Sequence, residues 1–306
     1  MPSVDDNREV WGRADRWAHR GDEWSSGWGG PASQWSSWIA PRVRAAAGDE
    51  TFARIVEIGC GHGRWTEHLA RWSADVIAVD VTPSCVEACT ARFAAVGGVR
   101  AVACDGRSLP TVDDSSVELV FSFDSLVHAD ADAIAGYVAE LARVLADDGV
   151  AWIHHSNLRA SRWDRSAALR RVGPLHRALV RAGRVEPQVH WRDPSVDAEL
   201  VASLAVRHGL VCVEQELLPW ATRRTMIDAV STLARPGSAR RRLRSLGEPP
   251  VRAGADRCAG IRPAGLTRAF RRSPGPRRPA RRTGRAASAA TPRGSGASGG
   301  VGTRWP

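Results

Sequence analysis

The residues Val56, Glu57, Ile58, Gly59, Cys60, Gly61, His62 and Gly63 follow one another, with three glycines at alternate positions behind an apolar run. A glycine-rich turn from strand to helix lets a ligand approach the backbone, with helix N-terminal amides facing it. Dinucleotide-binding proteins use G-x-G-x-x-G in the same place. Counted from Gly59, that pattern needs a glycine at 64, where Arg64 stands, and this disfavours a Rossmann oxidoreductase. Two further apolar runs end in polar clusters. One carries Asp124 and His128, and the other carries His154, His155, Ser156 and Asn157. Ligands of open α/β sheets bind at the carboxyl ends of strands, so both clusters are expected in one cleft. Strand alternation sends only one of His154 and His155 toward it.

Such residues need a sheet to carry them. Apolar runs at 54–58, 76–80, 99–103, 117–123, 150–154, 210–217 and 224–233 read as seven strands. Helical patterns fall between them at 64–72, 83–95, 130–145 and 196–208, with Thr82 as the N-cap and Pro83 in the first turn of the second. Alternation of this kind predicts an α/β domain over 41–235, a doubly wound, mostly parallel, Rossmann-like sheet with helices on both faces. Residues 157–195 are Arg-rich and irregular, with one helical patch at 167–182, and read as a cap or insertion over the active face.

The flanks differ from this core. Residues 1–40 hold Trp11, Trp17, Trp24, Trp28, Trp35 and Trp38, six of the 13 tryptophans. Rings in such a polar segment either clamp onto a neighbouring core or form a lid that stacks on a substrate; packing is the favoured reading of this extension. Residues 236–306 are Arg, Pro, Gly, Ala and Ser without hydrophobic periodicity, and are expected to be disordered. The formal charge of +10 belongs to that end: from residue 235 onward there are 18 arginines against Glu248 and Asp256, while the preceding part is acidic. Two readings of the tail compete, a basic interaction tail and out-of-frame translation of a GC-rich gene. The second is favoured, because its residues are those of GC-rich codons and the core pattern is already complete before it.

The six cysteines (Cys60, Cys85, Cys89, Cys104, Cys212, Cys258) are scattered, with no C-x-x-C pair and no histidine at zinc-ligand spacing. No resident metal is expected. With no apolar leader and no membrane-length apolar run, the chain is expected to be soluble, cytoplasmic and reduced, without a membrane partner.

An acid, one residue, then G-x-G-x-G is the pattern formed by Glu57, Gly59, Gly61 and Gly63, and with it the chain resembles the class I S-adenosylmethionine-dependent methyltransferases. The resemblance implies that Glu57 helps hold the methionine ammonium while Gly59, Gly61 and Gly63 make room for the cofactor. It implies that Asp80, at the end of the second strand, takes both ribose hydroxyls, a task suited to a carboxylate acceptor. It also places Asp105 near the adenine amino group, although Asp105 followed by Gly106 is equally an ordinary turn pair. Residues 21–25 and 28–30, with the clusters at 122–128 and 154–157, are similar to bacterial methyltransferases of glycan and natural-product tailoring.

The expectation is therefore methyl transfer to a hydroxyl of a small-molecule acceptor, which that second resemblance implies is a sugar or glycosylated natural product. A hydroxyl needs a base, and His155 or His128 is expected to supply it, with Asp124 orienting that base or binding the acceptor. Trp65 faces either the cofactor or the core. Two rivals stand beside this reading: an N-methyltransferase, which needs less base assistance, and a nucleic-acid-binding protein acting through the basic tail.

Overall fold

A computed structural model of the chain describes residues 3–48, 51–160, 173–182, 192–219, 226–238 and 251–253. The strands are β1 (Ile55–Ile58), β2 (Val76–Asp80), β3 (Val99–Ala103), β4 (Val117–Ser122), β5 (Leu145–Ser156), β6 (Val211–Pro219), β7 (Met226–Ala234) and β8 (Val251–Ala253). They lie side by side in the order β3-β2-β1-β4-β5-β7-β6-β8. Pairing is parallel from β3 through β5, and β7 runs antiparallel between β5 and β6. The expected doubly wound, mostly parallel Rossmann-like sheet is present. Its seven strands are joined by β8, a three-residue strand parallel to β6. Residues 254–306 lie outside the described residues, and so does the disorder expected of them.

Every residue of β1 and β2 is buried, as a parallel strand covered on both faces requires. Alternate residues face opposite cores. Val56, Ile77, Val120 and Ile153 meet α6 (Ala131–Val144) and α8 (Ala198–Arg207). Ile55, Val76, Leu119, Phe121 and Trp152 meet a helical segment from the N-terminal side. That segment begins as α2 (Pro31–Gln34), widens into a π turn at Trp35–Ile39 and continues as α3 (Ala40–Ala47). Trp35 and Trp38 are buried against the sheet, so the boundary drawn at residue 40 falls inside a continuous helical run.

The remaining helices are α1 (Val4–Trp11), α4 (Thr66–Leu69), α5 (Pro83–Phe93) and α7 (Gly173–Arg181). The helix expected over 64–72 shrinks to the single turn of α4, because the chain leaves the glycine loop through turns such as the Gly63 amide on the Cys60 carbonyl (2.9 Å). Thr82 does precede α5, but its side chain makes no capping hydrogen bond. Asp130 caps α6 by accepting the Ala133 amide at 2.8 Å. Much of the predicted cap, residues 161–172 and 183–191, lies outside the described residues. Among the described residues no helix is long and apolar enough to cross a membrane.

The strand order reverses direction beside β1, where the connection from β3 crosses to β4 on the other side. This is the switch point at which open α/β sheets bind ligands. Leu141 of α6 is fully buried beneath it. Leu141→Ala is expected to lower unfolding free energy by about 2–5 kcal/mol, measured as a fall in urea midpoint at unchanged slope.

Candidate functional site

The loop after β1 is held by amides turned back onto β2: Gly59 and Cys60 both donate to the Val79 carbonyl (2.8 and 3.1 Å). Gly59, Gly61 and Gly63 have φ of 78, 53 and 82°, the left-handed region that glycine adopts without strain. Space forbids side chains there as well. A β-carbon at Gly59 would overlap Ser125, and one at Gly61 would lie 2.6 Å from the Trp17 ring. Asp80 ends β2 and ties the loop down, since its Oδ2 accepts the Gly61 amide (2.9 Å) and its Oδ1 the Thr82 amide (2.9 Å). Burial pushes the Asp80 carboxyl up, and those amides pull it back only in part.

Between this loop and the end of β4 opens a cleft. Asp80, Asp124 and His128 line it together with Trp11, Trp17 and Trp24. The three indoles pack on one another with centroids 4.9 to 6.2 Å apart, and Trp17 stacks flat on His62 at 4.1 Å. The segment bearing them is fastened to the cleft by Asn7 Nδ2 donating to the His128 carbonyl (2.9 Å) and Arg8 Nε to the Val81 carbonyl (3.1 Å). The tryptophan-rich extension thus divides: Trp11, Trp17 and Trp24 face the cleft, whereas Trp35 and Trp38 fill the core. Trp65 does both, lining the cleft while packing in the core at 3% exposure.

Asp124 also lines this cleft. It is a non-glycine residue with φ 63°. Its carboxylate meets Arg64 at 3.1 Å and Arg192 at 3.8 Å. Burial alone would raise the Asp124 carboxyl, and those guanidiniums outweigh it, leaving the group below its ordinary value. Arg64 in turn lies over the Trp65 ring at 4.4 Å and the Trp24 ring at 5.5 Å. His128 closes a 3-10 turn (Leu126–His128) with its ring 5.0 Å from that of Trp11.

The adjacent histidines separate as alternation requires. The His154 ring stacks on Phe123 at 4.6 Å, and its Nδ1 accepts the Asp124 amide at 3.1 Å. His155 points into the opposite core, fully buried, with Nδ1 on the Ser156 carbonyl (2.9 Å) and Nε2 on the Ser231 hydroxyl (2.8 Å). The structure therefore does not bring His155 to the cleft, and both its nitrogens are already engaged. Glu57 sits behind the loop at 1% exposure and does not line the cleft. Its Oε2 accepts the Thr66 hydroxyl at 2.5 Å, and burial pushes its carboxyl well above the usual range. Asp105 is exposed and turned into its own turn, accepting the Arg107 and Ser108 amides at 2.8 and 2.7 Å; its neighbour Gly106 lines the cleft instead.

Sequence reasoning missed Arg64, Arg192 and Asp228. Arg192 grips Asp228 through two hydrogen bonds of 3.0 and 2.8 Å, and His154 Nε2 lies 3.4 Å from the same carboxylate. Only the position of Arg64 directly behind the glycine loop could have marked one of them. Among the described residues no three His, Cys, Asp or Glu side chains converge into a metal cluster.

Residues 55–149 match the family described as a methyltransferase domain. No curated protein matches the chain. Similar solved structures include the cyclase SpnF, at 14% identity over 77% of this chain and 97% of that one, with a TM-score of 0.54. A protein from Galdieria sulphuraria assigned to sarcosine and dimethylglycine methylation shares 21% identity over 60% of this chain and 64% of that one, at a TM-score of 0.44. Phosphoethanolamine N-methyltransferase 1 of Haemonchus contortus, in complex with phosphoethanolamine and S-adenosylhomocysteine, shares 22% identity over 50% of this chain and 32% of that one, at a TM-score of 0.40. The chain spans less than two thirds of the length of these last two proteins. At such identities the likeness is one of fold, and a cyclase among these structures illustrates that fold does not dictate reaction.

Burial pushes the His155 imidazole from its ordinary 6.5 down to about 4. The unfolded chain then binds a proton that the folded chain refuses, so stability present above pH 6.5 is lost as pH falls toward 4. The expected loss is roughly 3 kcal/mol across that window. Urea midpoints at pH 7 and pH 4.5 measure it, and His155→Gln should lose that part of the slope.

Proposed function

We propose that the chain methylates a hydroxyl of a small-molecule acceptor, a sugar or glycosylated natural product, with S-adenosylmethionine as methyl donor; the match of residues 55–149 to a methyltransferase domain supports this reading. The cleft fits the cofactor. Asp80 lines it and retains a lone pair on each oxygen for the ribose hydroxyls. Gly59 and Gly61 allow close approach, whereas Glu57 lies behind the loop and out of the cleft's reach. The bound sulfonium supplies an electrophilic methyl group.

The observation that carries the reading is the convergence of His128 and Asp124 on the wall that also holds Asp80 and the glycine loop. His128 takes the acceptor proton, since an imidazole is the side chain suited to remove one near neutral pH. Asp124, kept ionised by Arg64 and Arg192, orients the acceptor by accepting a hydrogen bond. The tryptophan cover excludes water while donor and acceptor are aligned.

A second reading, N-methylation, is favoured by the cleft's own charge. Among the described residues, Asp80, Asp124 and Asp130 line it against Arg64, beside three indoles, an environment that accepts a cationic amine. Incubation with labelled S-adenosylmethionine and panels of sugars, phenols and amines separates the two. Hydroxyl methylation is expected, and His128→Ala should reduce its rate by about 10²–10⁴-fold. Transfer confined to amines, with His128→Ala fully active, would contradict the O-methylation reading.

A further inference from the structure

We propose that His154, Asp228 and Arg192 are positioning residues that set the conformation of Asp124 and, through it, the width of the cofactor cleft. This rests on the proposed cofactor site. Asp124, Arg20 and Ser115 are the non-glycine residues with positive φ among those described, and of these Asp124 alone lines the cleft. Left-handed backbone at a residue other than glycine persists only where its surroundings over-determine it.

Here the surroundings do so from three directions. The Asp124 amide donates to His154 Nδ1, which requires that nitrogen to carry a lone pair. The ring proton of neutral His154 therefore sits on Nε2, the nitrogen that faces Asp228 Oδ2 at 3.4 Å. Arg192 then fixes Asp228 with two hydrogen bonds and reaches the Asp124 carboxylate with the same NH2 group. Arg64 holds the other Asp124 oxygen from the cleft side.

The three side chains behind Asp124 are nearly sealed from solvent: Arg192 is 4% exposed, His154 2% and Asp228 1%. A buried charge that loses its partner is strongly unfavourable, so this set tolerates little displacement. It also anchors parts of the chain that are distant in sequence. The Asp193 amide binds the Val127 carbonyl (3.1 Å) and the Ser156 hydroxyl binds the Asp193 carbonyl (2.6 Å).

The consequence for the cleft comes through the next residue. Ser125 abuts Gly59 so closely that a β-carbon there has no room, so a shift of residues 124–125 moves the wall against which the glycine loop rests. The array thus acts on cofactor binding without touching the cofactor.

The test titrates the full-length wild type, His154→Asn and His154→Leu with S-adenosylhomocysteine by calorimetry, with far-UV circular dichroism on each. Asn offers an amide oxygen where Nδ1 stood, whereas Leu leaves the Asp124 amide without an acceptor. His154→Leu is expected to bind about tenfold more weakly with unchanged secondary structure, and His154→Asn to stay within about threefold of wild type. Wild-type affinity in His154→Leu, or equal losses in both variants, would overturn the positioning role. A folded wild type that binds no S-adenosylhomocysteine would overturn the cofactor reading itself. Should His154→Leu not fold, Arg192→Met takes its place: about tenfold weaker binding supports the array, and unchanged affinity refutes it.

Discussion

The hydrogen bond from the Gly61 amide to Asp80 Oδ2 joins the two strand ends beside which the cleft opens. It uses one lone pair of a buried carboxylate to hold a left-handed glycine loop, and leaves the rest of that carboxylate facing the cleft. The register of the sheet makes this possible. Ile58 of β1 lies opposite Val79 of β2, so the glycine loop and Asp80 emerge at the same level. Glu57 lies opposite Phe121, which brings the end of β4, with Phe123 and Asp124, to that level from the other side. Three strand ends are thereby fixed to one another before any side chain reaches for a ligand.

The cleft is completed by two arrangements of opposite chemistry. The N-terminal segment contributes indoles that pack on one another and on the glycine loop, an apolar cover fastened by two polar contacts. Beside Asp124, the side chains of Arg64, Arg192, Asp228 and His154 join it in a buried network in which each carboxylate meets at least one guanidinium. Burial would raise Asp228 as well, yet Arg192 and His154 hold its carboxyl far below the ordinary value. The network stays charged where an isolated ion would be expelled.

The parallel sheet and the glycine loop were legible in the sequence because each rests on local pattern: continuous apolar runs, turn glycines, and Asp80 at a strand end. Alternation foretold that His154 and His155 would point to opposite faces, and they do, but neither lines the cleft: His154 packs behind Asp124. Alternation could not say which of the two would meet Asp124, since that depends on how β5 pairs with β4 and β7. Asp105 shows the limit of motif matching. The Asp-Gly pair satisfies its own turn with backbone amides, and the adjacent glycine takes the cleft position. Arg192 and Asp228 were invisible for a different reason. Their meeting is created by the antiparallel return of β7 beside β5, which brings Asp228 opposite Ser156. The tryptophans were legible as packing residues but not as a divided set. Trp35 and Trp38 enter the core because a π turn rotates both toward the sheet, while the three preceding rings reach the cleft through irregular turns.

The central claim is that this cleft is built for S-adenosylmethionine, and equilibrium titration of the full-length chain with S-adenosylhomocysteine, against NAD as control, tests it most directly. Saturable binding of S-adenosylhomocysteine alone, lost in Asp80→Ala, is the predicted result. Binding of NAD in its place, or no binding of either by a folded chain, would contradict it.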